Sequence, residues 1–153
     1  MKRDSKLSGI LHVLLHMAEY ATPVTSETLA GVMQTNPAVI RRIMSGLRQR
    51  GYVRSEKGHG GGWTLVCNFE QLTLADVWRA VGEPSLIAMS NRTDFPDCLV
   101  EQAVNHALDT ASKEAESLLI ARMQEVTLAR LRQDFHQDLH ASPTNLVKVS
   151  CHE

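Results

Sequence analysis

A chain of 153 residues with 43% apolar side chains supports one compact domain, or a small domain carrying an extra helical arm. No apolar run reaches the roughly 18 residues a membrane span needs. The opening Met1-Lys2-Arg3-Asp4-Ser5 leads into His12, His16 and Glu19 with no small-residue cleavage site, so a cytoplasmic protein without a signal peptide is expected. The formal charge of −1 hides an asymmetry: residues 1–66 hold nine Lys/Arg against four acids, and the remainder seven against thirteen. A basic front joined to an acidic rear suggests a polyanion-binding end.

Residues 5–20 place Leu7, Ile10, Leu11, Leu14, Leu15 and Ala18 at three- and four-residue steps, one face of a helix that Ala21-Thr22-Pro23 breaks. Thr25-Ser26-Glu27-Thr28 opens a second helix, with a hydroxyl as cap and Leu29, Ala30, Val32 and Met33 inward. Gln34-Thr35-Asn36 is a tight turn, and Pro37 suits the first position of a third helix. That helix runs to Arg50 with Val39 or Ile40, then Ile43, Met44 and Leu47, facing inward; Gly51 ends it in a left-handed cap.

Residues 52–56 and 63–67 read as short strands around the glycine-rich tip Lys57-Gly58-His59-Gly60-Gly61-Gly62. This run lacks a GK[ST] ending and joins two strands, so it is no nucleotide-binding loop. Thr73 caps a helix over Leu74–Val81, and residues 85–95 read as an irregular linker. From Pro96 or Asp97 to about Glu125 there is no Pro or Gly, and Leu108, Ala111, Ala115, Leu119, Met123 and Val126 form an apolar stripe. Thr127 caps a last helix to about Gln137, and the polar tail after Ala141 is expected to be mobile. The domain division is 1–82 for the front unit, 83–96 for the linker, 97–140 for rear helices and 141–153 for the tail.

Helix, helix, turn, helix and two-stranded hairpin, in that order, specify a winged helix-turn-helix, mainly α with a small β wing. Candidate DNA contacts are Asn36, Ala38, Val39, Arg41, Arg42, Ser45 and Arg48 on the third helix, with Lys57, His59 and Gly60 at the tip. Arginine suits guanine edges and phosphates, and a flexible glycine tip suits a minor groove. No catalytic residues are expected.

Val39-Ile40-Arg41-Arg42-Ile43-Met44, Leu47-Arg48-Gln49-Arg50-Gly51-Tyr52-Val53, Gly58-His59-Gly60-Gly61-Gly62-Trp63 and Leu74-Ala75-Asp76-Val77-Trp78-Arg79-Ala80-Val81 together resemble the Rrf-two (Rrf2) family of bacterial winged-helix regulators. The likeness returns at Val126-Thr127-Leu128 and covers most of residues 5–132. It implies a homodimeric transcription regulator, a repressor, in which the stripe Leu108, Ala111, Ala115, Leu119, Met123 and Val126 is the dimer seam. Paired recognition helices would engage a pseudo-palindromic duplex.

Several members of that family hold an iron–sulfur cluster through three cysteines before the long helix. Here only Cys98 lies between residues 85 and 108, with His106 eight positions on, so no cluster, metal or other cofactor is expected. Cys98, beside a helix start, is a candidate regulatory thiol against the plainer reading of a buried small residue. His12 and His16, one turn apart, have metal-binding spacing but are read as a solvated edge. Cys67 is assigned to the core, Cys151-His152 to no site, and Trp63 and Trp78 to anchoring roles. The alternatives are a metal- or cluster-dependent redox sensor using Cys98 with histidines, and a winged helix that docks proteins.

Overall fold

The computed structural model describes residues 6–87 and 97–141, with side chains to residue 137. Residues 88–96 of the predicted 83–96 linker, the tail beyond Ala141 and with it Cys151-His152 lie outside the described residues. The element order is α1 (Lys6–Met17), α2 (Ser26–Met33), α3 (Pro37–Gln49), β1 (Val53–Glu56), β2 (Gly62–Leu65), α4 (Leu74–Ala80), α5 (Leu99–Gln124) and α6 (Leu128–Ala141).

Local chemistry sets most of these boundaries. Thr25 caps α2, its hydroxyl accepting from the Thr28 amide at 3.2 Å. Asn36 caps α3 by accepting from the Val39 amide at 3.1 Å, with Pro37 next. Gly51, at φ +76, follows α3 as the left-handed residue the sequence asks for. Thr73 and Asp76 form a reciprocal capping box at α4. Thr127 accepts from the Arg130 amide at 3.3 Å ahead of α6.

Two helix ends depart furthest from expectation, and β2 ends at Leu65 where residue 67 is expected. α1 stops at Met17 because its last turn tightens: the Glu19 amide bonds to His16 and that of Tyr20 to Met17. α6 continues to Ala141, past the expected Gln137, since no Pro or Gly interrupts it before Pro143.

The main core collects Ile10, Val13 and Leu14 of α1, Leu29 of α2, Ile40, Met44 and Leu47 of α3, and Val77 of α4. Leu128 of α6 is fully buried in the same core, so the final helix is packed into the front body rather than standing apart from it. β1 and β2 pair antiparallel, Val53 opposite Leu65 and Glu56 opposite Gly62. The hairpin is stitched to the start of α2: Val24 and Trp63 exchange backbone bonds of 2.8 and 3.0 Å. A side chain at Gly62 would meet the Val24 carbonyl at 2.6 Å, so glycine permits this close approach. Trp63 adds a 2.9 Å bond from Nε1 to Ser26 Oγ, and buried Trp78 donates 2.8 Å to the Pro84 carbonyl.

A smaller apolar cluster joins α5 to α4, where Met123 packs with Ala75 and Trp78, and Ile120 adds to it. Among the described residues, no helix is long and apolar enough to cross a membrane.

Candidate nucleic-acid interface

Ile40, Ile43, Met44 and Leu47 hold α3 to the core, which turns the opposite face outward. That face carries Ala38, Arg41, Arg42 and Arg48, all exposed, with half-buried Ser45 between them. The structure resolves which residue of the pair Val39/Ile40 points inward: Ile40 is fully buried, and Val39 is half-buried against the core's edge. Exposed Asn36 commits its carboxamide oxygen to the cap, which leaves its amide NH2 to face outward contacts.

The arginines differ. Arg41 donates from Nη2 to Glu27 on α2 at 2.8 Å, an exposed ion pair that bridges the two helices of the helix-turn-helix. Arg42 and Arg48 have no partner among the described residues. Glu27 as a brace for Arg41 was not legible, because 14 residues separate the two. At the hairpin, Lys57, Gly58, His59 and Gly60 are all exposed, and the ion pair Arg54–Glu56 at 2.9 Å sits on β1.

α5 bears an apolar stripe in two parts. Met123 (7% exposed), expected on the dimer seam, is instead consumed by the chain's own core, and Val126 is half-buried while its carbonyl accepts from Leu74. Leu108 (40% exposed), Ala111, Ala115 and Leu119 (40%) remain on the surface, joined by Val104 (51%) and Leu118 (61%), which the sequence reading left out. Their spacing of three and four places them on one stripe, which runs at its C-terminal end into the intrachain contact at Met123, one turn beyond Leu119.

Cys98 precedes α5 and is fully exposed, so the plainer reading of a buried residue is not what the structure shows. The backbone amides of Glu101, and then Val100, draw its thiol below the usual range, although the sulfur forms no full capping bond. Cys67 lies half-buried near the end of β2, where burial pushes its thiol up. His12 and His16 bring their Nε2 atoms within 2.8 Å. No group of three or more His, Cys, Asp or Glu converges among the described residues. Among the described residues the donor set therefore does not fit an iron–sulfur cluster, which needs several thiolates at one place.

A core-anchored helix with an arginine-rich outer face, followed by a glycine-tipped hairpin, defines a DNA-binding transcription regulator of winged-helix type. Residues 3–134 match the Rrf2 family, described as iron-dependent transcriptional regulators. The chain belongs to this family. It is 28% identical over 106 residues to YwnA of Bacillus subtilis (strain 168), named as an HTH-type transcriptional regulator, a stretch covering 69% of this chain and 78% of that one. A crystal structure of a transcriptional regulator from Lactobacillus plantarum superposes with a TM-score of 0.70 at 23% identity, covering 86% of this chain and 90% of that one. CymR, the global cysteine regulator of B. subtilis, shares the fold with a TM-score of 0.54 at 18% identity, covering 87% and 97%. Such relatives are regulators, and this chain is no enzyme.

Proposed function

We propose that the chain acts in the cytoplasm as a homodimeric repressor on a pseudo-palindromic operator. The observation that carries this reading is the shared outer face of α3, where Ala38, Arg41, Arg42, Ser45 and Arg48 stand over a buried apolar face. Arg42 and Arg48 contact base edges or phosphates, and Arg41, braced by Glu27, is oriented for the same groove. Asn36 and Val39 border this surface. Lys57, His59 and Gly60 at the hairpin tip reach an adjacent minor groove or backbone. The free stripe on α5, centred on Leu108, Ala111, Ala115 and Leu118/Leu119, pairs with its twin and sets half-sites about 10 base pairs, or a multiple, apart.

Selection of bound duplexes from a random pool tests this. The expected product is an inverted repeat with that spacing; enrichment of no sequence would reject the proposal.

Cys98 supports a regulatory arm of the same proposal, because it is exposed and its thiolate is favoured by the start of α5. Attack of the thiolate on hydrogen peroxide forms the S–O bond as the O–O bond breaks, giving a sulfenic acid and hydroxide, which takes a proton from solvent, beside the dimer helix. Peroxide should release the selected duplex from the wild-type chain and leave Cys98→Ser bound; equal release from both would remove the thiol from the mechanism.

A further inference from the structure

A cleft of about 650 Å³ opens between the end of α1, strand β2 and the middle of α6. Small-ligand sites typically enclose about 300–1,000 Å³. The lining is mixed and includes the Glu70 carboxylate. Trp63, Leu65 and Phe69 offer an apolar wall, while Arg132 and His136 of α6 supply hydrogen-bond donors.

The donor end is built rather than incidental. Arg132 Nε donates to Glu19 Oε1 at 2.9 Å, and its Nη2 donates to the Ala18 carbonyl at 3.2 Å. His136 Nε2 lies 3.4 Å from the same Glu19 oxygen. These bonds fix the guanidinium across the end of α1 and leave its Nη1 without a partner among the described residues. A guanidinium fork held this way is suited to a carboxylate.

The apolar wall is wired to the DNA-binding parts. Trp63 belongs to the hairpin strand that leads from the tip, and its indole and backbone are bonded to Ser26 and Val24 at the start of α2. Whatever presses on Trp63 acts on both the wing and the helix-turn-helix.

We propose that this cleft is an effector site for a small amphipathic anion, a carboxylate on an aromatic or branched apolar body. The carboxylate takes Arg132 and His136, in competition with Glu19, and the apolar body lies against Trp63, Leu65 and Phe69. The regulatory half of this inference rests on the DNA-binding reading above; the ligand-binding half does not. Binding alters DNA affinity to the extent that the ligand prefers one arrangement of the wing.

The chain has two tryptophans, so Trp78→Phe leaves Trp63 as the single indole reporter. Phenylacetate is the probe, and phenylacetamide supplies the same shape without the charge. Phenylacetate should change Trp63 emission saturably, and phenylacetamide should bind at least about ten-fold more weakly, as should phenylacetate to Arg132→Gln. Calorimetry on the chain with both tryptophans gives an independent reading: Ala129→Phe, which fills the cleft, should abolish the phenylacetate heat. No saturable response, or a response indifferent to charge and to both substitutions, overturns the site. On the selected duplex, phenylacetate should shift the Kd by about three-fold or more for the wild type and not for Ala129→Phe. Saturable probe binding with unchanged DNA affinity overturns the effector role. Probe binding by a chain that selects no duplex would instead defeat the DNA reading and leave the ligand site standing.

Discussion

Two single residues show how far packing overrides local preference. Gly46 lies inside α3, where alanine is the better helix former by about 1 kcal/mol. A Cβ there would sit 2.5 Å from the Ala80 carbonyl of α4, a backbone atom that cannot swing aside. Overpacking of this kind costs roughly 1–3 kcal/mol. Gly46→Ala should therefore lower the denaturation midpoint, with a net loss of up to roughly 2 kcal/mol. A raised midpoint would show that the helices separate freely. His16 is the second case. Burial, then the neighbouring His12, lowers its pKa from 6.5, and Glu19 only partly opposes them. The unfolded chain thus binds a proton more readily than the folded one. Stability from this group is present above pH 6.5 and lost as pH falls through the depressed folded value. Melting temperature should fall from pH 7.5 toward 5.5, a trend that His16→Gln flattens; parallel trends in the two chains would place the effect elsewhere. Spacing puts the histidines one turn apart, but only the fold reveals how much water His16 gives up.

Among the elements, α2, α3 and α4 are legible because their ends are written in local chemistry: Thr25, Asn36-Pro37, Gly51 and the Thr73/Asp76 box. The long helix is legible as a helix but not in its allegiances. Periodicity joins Leu108 through Val126 into one stripe, whereas Met123 serves the intrachain cluster with Trp78 and Leu108 faces outward. Apolar spacing states that a face is buried, never against whom. The two parts of the stripe should separate in experiment. Leu108→Glu should yield folded monomer in sedimentation with unchanged helicity. Met123→Ala should leave the proposed dimer intact but cost about 2–5 kcal/mol of stability. Dissociation by Met123→Ala with Leu108→Glu still dimeric would invert the assignment.

Across the whole molecule, the charge division read from the sequence coincides with the α3 face and the hairpin tip, and the basic-front expectation needs only a count to be seen. The attachment of α6 needs the fold. Arg132 and Glu19 stand 113 residues apart, Thr73 and Thr127 form an isolated bridge, and Leu128 completes the main core. Those contacts close the sequence on itself and create the cleft behind the wing, which no local pattern announces. They also make the last helix part of the unit that meets DNA, so changes at α6 can reach the wing.

The proposal stands on the outer face of α3 holding a duplex. Its most direct test is fluorescence anisotropy on the selected duplex across a range of salt, for the wild-type chain and Arg42→Ala. Log affinity should fall steeply and linearly with log salt, and Arg42→Ala should weaken binding by about ten-fold or more. Affinity indifferent to salt and unchanged by Arg42→Ala would contradict it.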